Sequence, residues 1–289
     1  PSSMTSSFPA DVVPVDRNNN GYVDLLYAAD VGGRIWRFDI SESATSRNDF
    51  ATGAVIADIN TSSSDGISGN RRFYNRPDVS YITDADTPYI LISIGSGYRA
   101  HPLSTETTDY QLLLKDPYGL NVPDSYGTTL TLSDLVAWSA QDAENSVHGW
   151  YLQAGTTGEK VLSASVTLSG IVTFNSYIPA QETDDTLQCT GAMGQSNIYQ
   201  LALTDAAYAQ ADCEEGGSCP ARPGETVEPV QSVVGLAPDP TITLPPADDT
   251  NPDPSCEDSS LVILSGTSTT SGHLNRCDLF NTDYWKENR

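Results

Sequence analysis

The chain has 289 residues, with 38 acidic side chains against 14 basic ones and a formal net charge of −24. A surface of that sign repels nucleic acid and anionic membranes and attracts divalent cations, so neither nucleic acid nor membrane insertion is expected. Apolar residues make up 38% of the sequence, enough for a core, while 22 glycines and 18 prolines favour short strands and turns over helical bundles.

Near the start, Asp16-Arg17-Asn18-Asn19-Asn20-Gly21-Tyr22-Val23-Asp24 places oxygen-bearing side chains at loop positions 1, 3, 5 and 9. Calcium takes roughly six to eight oxygen ligands at about 2.3–2.6 Å. In a tight loop alternate side chains turn inward, which brings Asp16, Asn18 and Asn20 together. Gly21 permits the reversal, Tyr22 offers its backbone carbonyl, and Asp24 closes the cage as the bidentate ligand. With two carboxylates the expected affinity is roughly 10⁻⁶–10⁻³ M. An asparagine-rich hairpin turn would explain residues 19 to 22, but not the register of Asp16, Asn18 and Asp24. Asp24 runs straight into a strand pattern, so the loop is expected to join two strands.

After the loop, a unit of strand, glycine turn and strand recurs. Leu25 to Asp30 gives way at Val31-Gly32-Gly33 to Arg34 to Asp39, with Ile35 and Phe38 expected in the core. A second copy runs from Tyr89 to Gly97 and returns at Tyr110 to Lys115. The third is Gly170 to Asn175, followed by Asn197 to Leu203 with Leu201 and Leu203 facing inward. Fainter strands at Gly53 to Ile59, Trp150 to Gln153 and Lys160 to Leu168 complete the units. Thr131 to Ala143 has the spacing of a short helix, with Ser133 as its N-cap and Leu135, Val136 and Trp138 on one side. Asp84-Ala85-Asp86-Thr87-Pro88 reads as a hairpin turn and Asp184-Asp185 as a solvated loop. Hairpins repeated at this interval are the signature of a β-propeller; a β-sandwich is the structural alternative. Three to four blades are visible, and the others are expected before residue 1.

From about Ala206 the composition changes. Nine of the prolines lie between Pro220 and Pro254, and no strand is expected there. The predicted organisation is therefore blades over 1–205, a cysteine- and proline-rich extended arm over 206–260, and a docking segment over 261–289. The last contains a strand at Leu261 to Leu264 and an apolar piece at Arg276 to Trp285. All five cysteines fall in the last 101 residues. Cys213 with Cys219, and Cys256 with Cys277, are spaced for disulfides, which leaves Cys189 over; other pairings stay open. Disulfides point to an oxidising compartment. No apolar run approaches the roughly 18 residues that span a bilayer. The chain opens on Pro1 with no charged-then-apolar leader, so it is expected to be a portion of a longer secreted protein.

The loop followed by Leu25 to Asp39, together with Asn75-Arg76-Pro77-Asp78, Ile94-Gly95-Ser96-Gly97-Tyr98, Gly149-Trp150-Tyr151-Leu152 and Gly158-Glu159-Lys160-Val161-Leu162 running on through Phe174 to Pro179, resembles the C-terminal propeller of the PilC/PilY family of type IV pilus tip proteins. The match covers roughly residues 11 to 205. The resemblance implies an all-β, modified quinoprotein-like propeller at the cell surface, on the pilus tip beside minor pilins. It also implies calcium control of pilus extension and retraction, and attachment to a host or abiotic surface. The family's calcium ligands fall on Asp16, Asn18, Asn20, the Tyr22 carbonyl and Asp24. The Arg-Gly-Asp motif of some members is absent, as is any counterpart of the arm after residue 206.

The expected function is that of a calcium-binding adhesin and pilus biogenesis factor, not an enzyme. A quinoprotein dehydrogenase is an alternative, but it needs a cofactor-stacking tryptophan and often vicinal cysteines. No vicinal pair occurs, and Trp36, Trp138, Trp150 and Trp285 read as core or blade residues. A hydrolase lacks support, since Gly95-Ser96-Gly97 is not a nucleophile elbow and His148 reads as a strand-start residue. A generic calcium-propeller scaffold would show many metal loops, and one is seen.

Overall fold

Each of the three repeated units folds as the central hairpin of a sheet. The computed structural model describes residues 4–47, 49–60, 69–82, 88–119, 127–180, 193–210, 219–243, 260–265 and 268–273. The first sheet is an antiparallel meander of β1 (Val13–Val15), β2 (Leu25–Ala29), β3 (Arg34–Ile40) and β4 (Ala51–Asp58). Its central pair sets Leu25 opposite Asp39, Tyr27 opposite Arg37 and Ala29 opposite Ile35. The turn between them needs Gly33, whose φ is +81° and where a Cβ would come within 2.4 Å of Asn60 Nδ2. That amide donates to the carbonyls of Gly32 (2.9 Å) and Arg71 (2.7 Å), pinning the turn to the next segment.

The second sheet comprises β5 (Asp78–Ile82), β6 (Tyr89–Gly95), β7 (Tyr110–Asp116), β8 (Val136–Ala137) and β9 (Gly149–Gln153) in the order β5-β6-β7-β9-β8, with β8 parallel to β9. The third comprises β10 (Lys160–Val161), β11 (Val166–Leu168), β12 (Ile171–Ile178), β13 (Gln195–Ala202) and β14 (Gln231–Val234). Here β12 and β13 pair along eight residues, and β10 and β11 both pair with β12. A short helix, α1 (Asp205–Gln210), follows β13. The strands β15 (Thr241–Thr243), β16 (Ser260–Ser265) and β17 (Ser268–His273) form a further antiparallel sheet. The described chain is therefore all-β in several sheets, with one short helix.

Two apolar clusters organise the first three sheets. One joins Leu25, Tyr27, Ala29 and Ile35 of the first sheet to Ile90, Ile92, Ile94, Leu112 and Leu114 of the second. The other joins Leu91, Leu113, Trp138 and Trp150 to Val172, Phe174 and Leu201 of the third. The second sheet is thus covered on both faces, and this is why β6 and β7 read as continuous apolar runs with no alternation. Period-two geometry sends Ile90 and Ile92 to one cluster and Leu91 to the other.

Several expectations change. Residues 131–143 form no helix: 3₁₀ turns at Leu132–Asp134 and Ala143–Asn145 flank the strand β8. The physical reason is that Leu135 belongs to one apolar cluster while Trp138 belongs to the other, so no single helical stripe serves both. Thr131, not Ser133, begins the turn, its N–H and hydroxyl both donating to Asp134 Oδ2 at 2.7 Å. The proline-rich arm does build strands, β14 and β15, and β14 pairs with β13 from Gln195 opposite Val234 to Ile198 opposite Gln231. The stretch from Lys160 to Leu168 is two strands, not one. Ile35 is fully buried, whereas Phe38 lies on the opposite face of β3, half-buried and stacked on Trp36 at 6.1 Å. Leu201 and Leu203 are buried.

The Asp84–Asp86 and Asp184–Asp185 segments, the piece from Arg276 to Trp285, and Cys189, Cys213, Cys256 and Cys277 lie outside the described residues. Cys219 is disulfide-bonded.

Candidate functional site

The loop from Asp16 to Asp24 connects two strands that pair directly, with Val15 opposite Leu25. Its ends are tied by the Asp24 N–H donating to the Val15 carbonyl at 2.9 Å. The Asp24 carbonyl accepts from Ile40 N–H at 2.7 Å, so the base of the loop is also fastened to β3. Between these anchors, side-chain oxygens fold back on the loop's own amides. Asp16 Oδ1 and Asn18 Oδ1 share the Asn20 N–H (3.2 and 3.0 Å), and Asp16 Oδ2 accepts from Gly21 N–H (2.7 Å). Asn20 Oδ1 accepts from Tyr22 N–H at 2.8 Å. Asp24 Oδ2 accepts from the N–H groups of Arg17 (2.7 Å) and Asn18 (3.3 Å) across the loop.

Two backbone positions make this possible. Asn19 has φ 56° and Gly21 has φ +88°. A Cβ at Gly21 would meet nothing within 4 Å, so its left-handed conformation, not crowding, calls for glycine.

Asp16, Asn18, Asn20 and Asp24 are brought to one loop with their oxygens turned towards its amides, while the Tyr22 side chain is exposed. Glu42, which the sequence reading passed over, fixes one of them: it accepts from Asn20 Nδ2 at 2.6 Å, which leaves the amide oxygen facing the loop. No local signal could have named Glu42, since the contact spans 22 residues.

The donor set suits a hard cation. Each carboxylate and amide oxygen has lone pairs beyond those used by the amides. Asp24 is only 4% exposed, and among the described residues it forms no ion pair. A buried carboxylate held by two amides and no cation is what a bound divalent ion would complement. Among the described residues no group of three or more His, Cys, Asp or Glu side chains clusters as a metal site, so the loop's case rests on its mixed carboxylate and amide oxygens.

Behind the loop lies a buried ionic cluster that the sequence reading also missed. Arg37, 1% exposed, donates through Nη1 to both oxygens of Asp116 (3.1 and 3.0 Å) and through Nη2 to Asp39 (2.7 Å). The Tyr27 hydroxyl donates to Asp116 Oδ2 at 2.7 Å. Burial, then the Asp116 charge, pushes the Tyr27 phenol up, so it stays a donor. The signal was present in β3: alternation sets Arg37 and Asp39 on the same face as Ile35.

A second buried group lies where the second and third sheets meet. Lys160 Nζ donates to the carbonyls of Pro102 (3.1 Å), Ser104 (2.7 Å) and Gly158. Burial lowers its pKa, while nearby Asp109 pulls the other way. Glu159 accepts from Thr156 N–H and from the hydroxyls of Ser176 and Tyr199. Asp109 Oδ1 accepts from Ser96 Oγ at 2.8 Å, and Oδ2 has no hydrogen bond among the described residues.

Burial raises Asp109 from 3.8 to about 6, against the opposing pull of the Ser96 bond, Lys160 and Arg71. A carboxylate whose folded pKa lies above its unfolded value favours the fold fully below pH ~4, and that contribution is lost as pH rises to about 6. The change is worth on the order of 3 kcal/mol. Asp109→Asn is therefore expected to gain about 2–3 kcal/mol relative to the parent protein between pH 4 and pH 7. Urea unfolding at the two pH values reads this out, and parallel pH dependences in both proteins would refute it.

No family model matches the sequence, and none of the curated proteins does. Among solved structures the chain is similar to the C-terminal domain of PilY1 from Pseudomonas aeruginosa, with a TM-score of 0.54 and 15% sequence identity. The similarity covers 91% of this chain and 60% of that one, so the chain spans less than two thirds of that domain's length. At this identity the likeness is one of fold. Among the described residues no helix is long and apolar enough to cross a membrane.

Proposed function

We propose that this chain is part of a calcium-binding, surface-exposed protein of the type IV pilus, a binding protein and not an enzyme. The observation that carries this reading is the loop at the head of β2. It has a buried Asp24 whose carboxylate accepts from two backbone amides, with the oxygens of Asp16, Asn18 and Asn20 turned to the amides of the same loop. Asp16, Asn18 and Asn20 would hold the ion through side-chain oxygens, Tyr22 through its carbonyl and Asp24 through its carboxylate. The ion supplies two positive charges to a loop that carries two carboxylates.

The fold supports the same reading. Three largely antiparallel sheets follow one another along the chain, and the middle one, with β8 parallel to β9 at its edge, is packed on both faces. On our reading these sheets are successive blades of a quinoprotein-like propeller over 1–205, with β14 lent by the arm of 206–260 and 261–289 serving as a docking segment. The structural likeness to the PilY1 domain points the same way. On this reading the protein sits at the pilus tip beside minor pilins and contacts a host or abiotic surface. Calcium stiffens the joint between β1 and β2, and through Ile40 the edge of β3.

Isothermal titration of the full chain with calcium is expected to give one ion per chain at roughly 10⁻⁶–10⁻³ M, with magnesium far weaker because it demands tighter octahedral geometry. Absence of binding at millimolar calcium overturns the site. In the native host, an Asp24→Ala protein is expected to lose the calcium response of piliation and twitching. Normal piliation at every calcium level would end the regulatory part of the reading.

A further inference from the structure

The second and third sheets leave a cleft of about 440 Å³ between them, at the end where β6 and β9 begin and β7 and β13 finish. That volume falls within the roughly 300–1,000 Å³ of small-molecule sites. Its inner wall is apolar, formed by Tyr89, Trp150 and Leu203. Across the two rings lies Lys115, with Nζ 4.3 Å from the Trp150 centroid and 5.1 Å from that of Tyr89. It donates to the Ser146 carbonyl at 2.8 Å, and burial lowers its pKa. At the mouth stand Glu144, which is exposed, and Arg222, which is bound to Glu225 at 2.7 Å and to Asp205 at 3.6 Å and lies over the Tyr208 ring.

The lining discriminates by charge. Two cations face three carboxylates, in a chain of net charge −24, so an anionic ligand is repelled from the start. A cationic ligand would seek the aromatic faces, and Lys115 already covers them. What fits is a neutral ligand rich in hydroxyls, which can pair with both signs of charge in the lining. We infer that the cleft binds a neutral saccharide unit, its hydroxyls donating to the Glu144 and Glu225 carboxylates and accepting from the Lys115 ammonium.

Saturation-transfer NMR on the full, calcium-loaded chain tests this with glucose, galactose, mannose and N-acetylglucosamine. N-acetylneuraminic acid and glucosamine serve as the anionic and cationic comparators. At least one neutral sugar is expected to bind with an affinity on the order of 1 mM, with the charged comparators weaker. Glu144→Gln changes an exposed side chain and is expected to weaken binding about fivefold. Lys115→Met keeps the stem over the rings and is expected to weaken it further. The inference is overturned if no neutral sugar takes up saturation well above that concentration, or if a charged comparator binds best. It is equally overturned if Glu144→Gln, with an unchanged fold, binds like the parent protein. Loss of calcium binding in the loop would leave all of these outcomes readable, since the two sites share no residue.

Discussion

Replacing Arg37 with methionine is expected to lower the free energy of unfolding by about 3–5 kcal/mol. The guanidinium is 1% exposed and bridges Asp39 and Asp116, both of which are 6% exposed. Methionine matches much of the volume, so the loss comes from electrostatics and not from a cavity. Two carboxylates would remain buried, each deprived of the charge that offset its desolvation. They belong to different sheets, Asp39 to β3 and Asp116 to β7, so the substitution strikes the joint between sheets. Tyr27→Phe removes a single neutral donor from Asp116 and should cost about 1–3 kcal/mol. Urea unfolding of the two variants at neutral pH provides the comparison. A loss below about 1 kcal/mol for Arg37→Met would mean that the cluster is relieved by solvent or by proton uptake.

The second large effect concerns Asp24→Asn, which separates the two roles of that side chain. Without calcium, the amide oxygen can still accept from the Arg17 and Asn18 N–H groups, so stability should change by no more than about 1 kcal/mol. With calcium, one of the loop's two negative charges is gone, and the affinity should fall about 100-fold. If the loop binds calcium as proposed, calcium at about 100 times its dissociation constant should stabilise the parent protein by about 2.7 kcal/mol. At that concentration the variant should show almost none of the increase. Thermal unfolding with and without calcium measures this directly. If Asp24→Asn keeps the full calcium shift, the loop at Asp16 to Asp24 is not where the ion binds.

Much of this architecture was legible in the residues, for reasons the packing makes clear. The hairpins β2–β3, β6–β7 and β12–β13 are central in their sheets, so they are the most apolar and are bounded by small residues. The outer strands β1, β5 and β8 are short or half-exposed and carry little pattern of their own. β14 takes its conformation from pairing with β13 across the proline-rich arm, and nothing near Gln231 announces that. The inward register of Asp16, Asn18, Asn20 and Asp24 followed from spacing, because a loop of that length closes locally. Arg37 with Asp116, and Asn20 with Glu42, bring together residues 79 and 22 positions apart, a distance over which periodicity carries no information. The helix expected at 131–143 failed because its apolar residues serve two cores, a fact that exists only in three dimensions.

The late origin of β14 also bears on how the chain is made. Its first sheet uses strands that follow one another closely, so it can close soon after its residues leave the ribosome. The third cannot: β13 ends at Ala202, and its outer neighbour begins only at Gln231. Until then the outer edge of β13 is an open template for strand pairing, and once covered it is held by four residue pairs. A protease that cuts the arm after Arg222 would separate that outer strand from the residues before it, loosening the cover of the β13 edge from Gln195 to Ile198 and the packing of Val227 on the second apolar cluster.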